Sequence, residues 1–154
     1  MSQSRQFCTF RCDGHFLGVE VERVQEVIRF QEMTPVPLAA NAVSGLINLR
    51  GKIVTALDLR RCLGQPARAD GKVPMNVVVR SGGRAVSLLV DEIGDVLDVP
   101  ESDFEPPPTT IGKADRALFT GVYKLEGKLL LVLDTDKTVA WGISPVTNEK
   151  PAWA

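Results

Sequence analysis

An internal repeat is the feature that most constrains how this chain folds. Residues 14–30 align with residues 83–99, and residues 45–63 align with residues 121–139, so two blocks recur in the same order. In the later pair the matched positions are Gly45, Leu49, Gly51, Lys52, Leu57 and Asp58 in one copy and Gly121, Leu125, Gly127, Lys128, Leu133 and Asp134 in the other. Two blocks that match in a fixed order rarely arise by chance, which indicates a duplicated unit.

Each copy of the later block is typical of a β-hairpin. Apolar, β-rich runs lie on either side of a turn that contains Gly51, and the same pattern surrounds Gly127. The earlier blocks begin at turns that follow predicted strands at 6–12 and 76–80. The repeat therefore predicts two small β-barrels built from short, twisted strands.

The ends of the blocks carry further local signals. Residues 23–28 fit either a single helical turn or a continued strand, and Gly94 in the second copy favours the extended form. Asp58 and Asp134 are placed to cap short helices.

Two linkers and a tail separate these elements. Residues 64–74 are rich in turn-forming residues, and residues 103–116 contain three consecutive prolines that cannot pair inside a sheet. The polar segment 144–154 is predicted to be a flexible tail.

Charge and hydropathy exclude several functional classes. The 154-residue chain carries 18 basic and 19 acidic side chains, for a formal net charge of −1. This balance argues against binding of nucleic acid, or of an anionic membrane, through bulk positive charge. The apolar runs are too short to cross a bilayer, and the polar N-terminus lacks the apolar core of a signal peptide. We therefore expect a cytoplasmic protein with no direct membrane insertion.

The inventory of reactive side chains predicts that the protein is not an enzyme. A single histidine, His15, and three cysteines without a C-x-x-C pair do not make a metal site, so no metal or other cofactor is expected. Gly45 and Gly51-Lys52 imitate a phosphate-binding loop, but five residues separate the glycines and Ile53 follows the lysine. A phosphate-binding loop requires four residues and then a hydroxyl. No catalytic residue is predicted.

Arg50 is the position that most invites a binding role. It occupies the turn of the first hairpin, and its counterpart in the second copy is Glu126, so a shared backbone carries inverted charge. This divergence indicates two dissimilar binding surfaces. A solvated arginine in a turn explains the same pattern equally well.

Residues 43–60, which read VSGLINLRGKIVTALDLR, resemble the G-x-x-N-L-R-G-x-[IV]-[LIV]-P-x-x-D-L-R signature of the CheW family of chemotaxis coupling proteins. The resemblance extends over residues 6–139 in matching order and spacing. One departure is Thr55, which stands where the family usually has proline.

The resemblance implies an all-β fold, mainly β with short helices, in which two pseudo-repeated five-stranded SH3-like β-barrels share a hydrophobic core. It implies a CheW-like domain over 5–143, with subdomains at about 14–63 and 73–139 completed by an N-terminal strand and a C-terminal helix. It further implies a non-catalytic adaptor in a two-component system. Such an adaptor couples chemoreceptors (methyl-accepting chemotaxis proteins) to the regulatory domain of the histidine kinase CheA, and it is recruited to membrane-bound receptor arrays.

The resemblance also supplies candidate site residues. The positions that it places near a groove for the cytoplasmic tip of the receptor are Val21, Glu26, Gly45, Asn48, Leu49, Arg50 and Met75. The candidates for the kinase contact are apolar positions of the first barrel that we expect to be exposed, near Leu17, Val27 and Ile28. Arg50 either reads a carboxylate or carbonyl of the partner or pairs with an internal carboxylate such as Glu26.

Two other functions stay open. An adaptor of the same family can serve a paralogous array that controls type IV pili or surface sensing. A more remote possibility is a small barrel that binds nucleic acid, although aromatic residues make up only 6% of the chain and such sites need aromatic platforms.

Overall fold

The structure, a computed structural model, describes residues 3–110 and 116–144. These residues form ten strands: β1 (Ser4–Cys12), β2 (His15–Glu20), β3 (Val24–Ile28), β4 (Val43–Leu49), β5 (Lys52–Asp58), β6 (Met75–Ser81), β7 (Arg84–Val90), β8 (Glu92–Pro100), β9 (Phe119–Leu125) and β10 (Lys128–Leu133). They also form the helices α1 (Leu59–Cys62) and α2 (Thr135–Ile143), and two 3-10 turns at Val21–Arg23 and Glu101–Asp103.

The strands make two five-stranded sheets that are copies of one another. Sheet 1 has the order β8-β1-β2-β10-β9, and sheet 2 has the order β3-β6-β7-β5-β4. Each sheet contains one parallel pair, β2 with β10 in sheet 1 and β5 with β7 in sheet 2, and its other pairs are antiparallel. The predicted fold class is confirmed, and the sequence repeat is also a structural repeat.

The sheets divide the chain differently from the predicted consecutive subdomains 14–63 and 73–139. Sheet 2 is contiguous, from β3 to β7, whereas sheet 1 combines β1 and β2 with β8, β9 and β10. Each sheet thus takes its first hairpin from one repeat and three strands from the other. The exchange takes place where β2 passes through the 3-10 turn into β3 and where β7 passes through Asp91 into β8. The predicted tail lies, from residue 145 onward, outside the described residues.

The two sheets share one apolar core. Its largest cluster combines side chains such as Phe10 and Leu17 from sheet 1 with Leu57 and Leu88 from sheet 2. Two smaller clusters fill the individual sheets, one around Tyr123 and the other formed by Ile47, Val54, Ala56 and Leu89. Because neither sheet encloses its own core completely, the two depend on each other for burial of apolar area.

The cysteines belong to this shared core. Cys12 and Cys62 are buried within it, and Cys8 packs against its margin. Burial raises the pKa of the Cys12 and Cys62 thiols to about 12. They therefore remain protonated and pack as small apolar side chains.

The predicted local elements are present. Residues 24–28 form a strand rather than a helical turn. The Asp58 side chain accepts a hydrogen bond from the backbone N–H of Arg60 at 3.1 Å, and the Asp134 side chain accepts one from Lys137 at 3.0 Å, so both aspartates cap the helices that follow them. The Trp141 indole N–H donates to the Cys62 carbonyl at 2.9 Å and links α2 to α1.

The matched glycines Gly45 and Gly121 mark places where the chain folds back over a sheet edge. The segment after β3 pairs with β4 through reciprocal backbone hydrogen bonds between Thr34 and Leu46, at 2.9 and 2.8 Å. A Cβ atom on Gly45 would lie 2.7 Å from the Thr34 carbonyl oxygen, and one on Gly121 would lie 2.5 Å from the Glu105 carbonyl oxygen. Both positions therefore require glycine for the same steric reason.

A partly buried ionic network joins the two sheets at the point where β7 leaves sheet 2. The Arg60 guanidinium donates to both carboxylate oxygens of Asp91, at 2.9 and 2.6 Å, and the backbone N–H of Asp13 donates to Asp91 at 2.7 Å. The Arg68 side chain, from the linker, donates to the Asp58 carboxylate at 2.9 Å and lies 2.8 Å from Asp91. The network therefore ties the β1–β2 turn, α1 and the linker to the β7–β8 junction.

Gly45→Ala would place a methyl group against the Thr34 carbonyl and separate β4 from the segment that covers it. We expect the free energy of unfolding, measured by urea denaturation, to fall by about 1–3 kcal/mol. Ser44→Ala is the control, with an expected change within about 0.5 kcal/mol. Equal losses in the two variants would contradict the close approach at Gly45.

Asp91→Asn would leave two arginines facing a neutral amide, and we expect unfolding to become easier by about 1–3 kcal/mol at neutral pH. Burial raises the pKa of Asp91, but hydrogen bonds from Arg60 and from the Asp13 backbone outweigh this effect and hold it below its ordinary value. The stabilisation is therefore complete above the ordinary aspartate pKa and is lost as the pH falls through the lowered one.

Urea denaturation at several pH values tests this expectation. The difference between the wild type and Asp91→Asn should narrow on acidification, whereas Asp70→Asn, at an exposed linker position, should match the wild type throughout. A difference that does not change with pH would exclude a charged Asp91 as its source.

Candidate protein-binding site

The β4–β5 turn holds Arg50 in an unusual conformation. Arg50 has a φ of +53° and Gly51 a φ of +85°, and Leu49 pairs with Lys52 across this two-residue loop. Positive φ at both loop positions is the requirement of a type I′ turn, which favours asparagine, aspartate or glycine at the first. The Asn48 side chain accepts a hydrogen bond from the Gly51 N–H at 2.9 Å and supports the turn. An arginine kept at a position that disfavours it points to a function for its side chain.

Arg50 pairs with Glu26 across the two edges of sheet 2. Its guanidinium donates to both carboxylate oxygens of Glu26, at 2.6 and 2.7 Å. Glu26 lies on β3 and Arg50 follows β4, which are the two end strands of the sheet, so the sheet curls until its edges meet. Of the two alternatives that the sequence leaves open for Arg50, an internal pair or a partner contact, the structure contains the first, in a form that leaves the arginine accessible.

The accessibility of the pair is uneven. The Arg50 side chain is 72% exposed, and the Glu26 side chain is 17% exposed. The hydrogen bond from Arg50 lowers the pKa of Glu26, and the same bond raises the pKa of Arg50. Both groups are therefore charged over the physiological range, and the arginine presents the more exposed charge.

A cleft of about 540 Å³ opens beside this turn. Its rim carries four basic side chains from two hairpins: Arg50, Lys52, Arg80 and Arg84. Leu49 and Ile53 supply apolar surface, as does Ile143 at the end of α2. No acidic side chain is among the described residues that line it. The cleft is suited to a partner that combines carboxylates with apolar side chains.

Four of the predicted receptor-groove residues come together around the turn. Leu49 and Arg50 line the cleft, Glu26 holds Arg50, and Asn48 supports the turn. The remaining three occupy other places. Gly45 is buried under Thr34, Val21 lies in the 3-10 turn between β2 and β3, and Met75 begins β6 and packs against the shared core.

The predicted kinase-binding residues do not form one surface. Val27 is 38% exposed and Ile28 is partly buried, both on the edge strand β3. Leu17 is wrong as an exposed apolar position, because it is fully buried in the core between the sheets. Its strand, β2, lies in the middle of sheet 1 and is covered on both faces, so Leu17 is unable to contact a partner.

Three residues of the cleft were not anticipated from the sequence. Lys52, Arg80 and Arg84 lie at hairpin ends, where charged residues usually indicate only solvent exposure. The available signal was the pairing of the two hairpins through β5 and β7, which are parallel neighbours in sheet 2. That pairing cannot be read from either hairpin alone.

The described residues contain no cluster of three or more histidine, cysteine or carboxylate side chains that is arranged to hold a metal ion. No helix among them is both long and apolar enough to span a membrane. His15 lies at the exposed start of β2, with its Nδ1 atom 3.2 Å from the amide nitrogen of Gln65.

Comparisons with known proteins agree with this architecture. A family model described as a CheW-like domain matches residues 6–141. The chemotaxis protein CheW of Thermotoga maritima is 32% identical over 133 residues, which cover 85% of this chain and 85% of that protein. Protein FrzA of Myxococcus xanthus is 29% identical, covering 80% of this chain and 76% of that protein.

A solved structure has the same fold. The crystal structure of the scaffolding protein TtCheW from Thermoanaerobacter tengcongensis superposes with a TM-score of 0.82 at 25% identity, and the match covers 97% of this chain and 99% of that one. Together with the family model over nearly the whole chain, this places the protein: it belongs to the CheW family of chemotaxis proteins.

Proposed function

We propose that this protein is a non-catalytic adaptor that couples the cytoplasmic tip of chemoreceptors to the regulatory domain of the histidine kinase CheA. It acts in the cytoplasm and is recruited to membrane-bound receptor arrays. The observation that carries the proposal is Arg50, which a strained turn keeps accessible beside Leu49 and the cleft.

The Arg50–Glu26 pair fits a site that exchanges partners. A groove recognises a docked helix mainly through apolar contacts, and a charged residue sets the register of the helix. In the free protein Glu26 holds the guanidinium in a fixed orientation through two hydrogen bonds. A carboxylate on the receptor helix then shares or replaces Glu26, so Arg50 meets its partner already oriented and loses less side-chain entropy on binding.

A contact with the kinase is most compatible with β3. This strand is one edge of sheet 2, and its exposed Val27 and partly buried Ile28 offer apolar surface beside unpaired backbone groups. A barrel from another protein can pack against such an edge. Leu17 takes no part in this proposal.

A paralogous array that controls type IV pili or surface sensing is the second candidate. The similarity to a relative with a different name, Protein FrzA, supports an adaptor family with more than one output. Binding of nucleic acid lacks support, because no aromatic side chain is among the described residues that line the basic cleft.

Reconstitution of receptor-containing membranes, CheA and ATP tests the coupling role, with kinase autophosphorylation as the readout. The wild type should raise kinase activity, and attractant should lower it again. Arg50→Glu should reduce the stimulation about tenfold or more, because it replaces a charge-assisted bidentate contact with repulsion. A protein that binds neither receptor nor kinase would contradict the proposal.

The double variant Arg50→Glu/Glu26→Arg separates the two roles of the pair. It restores an internal ion pair with reversed polarity, so it should rescue activity if Arg50 serves only to hold the two edges of sheet 2 together. We expect no rescue, because the receptor would then meet a carboxylate where it requires a guanidinium. Full rescue would assign Arg50 a structural role.

Arg50→Gln tests how much the pair contributes to folding. In the wild type the Arg50 side chain is exposed, and solvent weakens its attraction to Glu26. The pair therefore contributes little to stability, and we expect the melting temperature of the variant to be close to that of the wild type. The pKa of Glu26, followed by NMR titration of its carboxyl carbon, should rise toward the ordinary glutamate value when the Arg50 hydrogen bond is removed. A large drop in melting temperature would favour the structural role.

A further inference from the structure

A buried polar pair lies inside the curl of sheet 2. The Ser87 hydroxyl, on β7, donates to the side-chain oxygen of Asn76, on β6, at 2.7 Å. The Asn76 side-chain amide donates in turn to the backbone carbonyl of Arg29 at 2.9 Å. Asn76 is 1% exposed and Ser87 is fully buried. Leu89, two residues along β7 and on the same face of the strand as Ser87, belongs to the apolar cluster that fills this sheet. A polar pair in such surroundings costs free energy unless it is hydrogen-bonded.

The equivalent positions of sheet 1 carry no polar side chain. The first repeated blocks align Gly18 with Ser87. The register of the two hairpins aligns Phe7 with Asn76. Phe7 is fully buried and packs in the apolar cluster around Tyr123. The polar pair is therefore found in the copy whose edges carry the candidate binding site, where it stands in place of an apolar arrangement. Departures of this kind from apolar packing are expected at functional sites.

Asn76 holds the chain at the point where it leaves β3. That strand ends at Ile28, which pairs with Asn76. The partner strand β6 begins at Met75, directly after Pro74. Because proline has no backbone N–H, it is unable to donate to a continued ladder. The side-chain amide of Asn76 donates instead to the next carbonyl of the chain, that of Arg29.

The segment that begins at Arg29 crosses from one edge of sheet 2 to the other. It leaves β3, the end strand on one side, and reaches β4, the end strand on the other side, through the backbone hydrogen bonds of Thr34. The Arg50–Glu26 pair joins the same two edges. The edges are therefore held together in two places, and Glu26 is followed, three residues later, by the carbonyl that Asn76 holds.

We propose that Asn76 is a positioning residue of the candidate binding site: it fixes the end of β3 and thereby holds Glu26 where it orients Arg50 for a partner. Ser87 keeps the Asn76 amide turned toward β3. Among the described strands β3 has one neighbour, β6, and their ladder shifts register between Val24 and Glu26, so the ladder alone constrains Glu26 weakly. A fully hydrogen-bonded buried network specifies one arrangement. This inference rests on the proposed coupling function, and it adds the residue that preorganises Arg50.

The double variant Asn76→Leu/Ser87→Ala removes both polar groups and keeps most of the volume of the pair. Replacement of both partners of a buried hydrogen bond by apolar groups of similar shape has little effect on stability. Circular dichroism should therefore show a folded protein that melts close to the wild type. The end of β3 loses its tie, so Glu26 accepts from Arg50 for a smaller part of the time. NMR titration should show the pKa of Glu26 rising toward the ordinary glutamate value.

The reconstitution with receptor membranes and kinase measures the consequence for binding. The double variant should need about two- to tenfold more protein for half-maximal stimulation, which corresponds to the cost of ordering one long side chain on binding. Maximal stimulation should stay at the wild-type level, because Arg50 itself is present. A Glu26 pKa that stays as low as in the wild type would overturn the positioning role, and so would an unchanged half-saturating concentration. A wild type that stimulates no kinase would instead contradict the coupling function, a result on which the Glu26 titration, made without partners, does not depend.

Thr9→Val is the matched control. The Thr9 hydroxyl is 1% exposed and donates to the Asp95 carbonyl, so it ties β1 to the end strand β8 of sheet 1. The variant removes a buried bond of the same kind from the other sheet, and it should leave both the Glu26 pKa and the half-saturating concentration at their wild-type values. A rise in the Glu26 pKa equal to that of the double variant would assign the effect to general loosening and exclude a specific role for Asn76.

Ser87→Ala alone makes the test independent of the folding of the double variant. It leaves the Asn76 amide in place and removes the hydroxyl that orients it. We expect a smaller rise in the pKa of Glu26 and a smaller rise in the half-saturating concentration. A folded Ser87→Ala variant with both quantities unchanged would exclude a part for Ser87 in the positioning of Glu26.

Discussion

Burial of apolar side chains between the two sheets is the interaction on which the rest of the structure depends. Neither sheet encloses its own core completely, because Phe10 and Leu17 of one sheet pack in one cluster with Leu57 and Leu88 of the other. Exchange of strands between the repeats also connects the two sheets through the chain itself. The chain passes from sheet 1 into sheet 2 after β2 and returns to sheet 1 after β7. The Arg60–Asp91 pair lies at one of these crossings and fixes the direction in which β8 leaves.

The functional surface is a product of the same geometry. Sheet 2 curls until its end strands β3 and β4 approach, and Arg50 and Glu26 meet at the seam. The turn that presents Arg50 keeps a positive φ that arginine disfavours, and it is supported by Asn48 rather than by burial. Accessible charge beside apolar surface is therefore built by the curvature of a sheet, without a preformed deep pocket.

Local chemistry made much of the fold predictable. Turn glycines and apolar runs identified the hairpins, the capping aspartates identified both helices, and the repeat identified two equivalent units. The exchange of strands was not predictable in the same way, because β2 pairs with β10 and β5 with β7 through contacts between distant parts of the chain. Local patterns contain no information on which copy supplies a strand.

The same limit of local sequence patterns applies to the candidate site. Arg50, Leu49 and Asn48 lie close together in sequence and also in space, so the signature identified them together. Leu17 was misplaced because an apolar strand residue does not reveal whether its strand is central or at an edge. Arg80 and Arg84 were missed because they approach Arg50 only through the order of strands in sheet 2.

The nested topology has a consequence for synthesis on the ribosome. All strands of sheet 2 exist once Val90 has emerged, whereas β2 lacks its parallel partner β10 until Leu133 follows. The strands made first are thus the last to be completed: the outer edge of β1 stays open until β8 is made, and that of β2 stays open until β10 is made. Open edges of this kind pair readily with other chains. The interval between residues 90 and 133 is therefore the stage of translation at which a nascent copy is most exposed to misassembly.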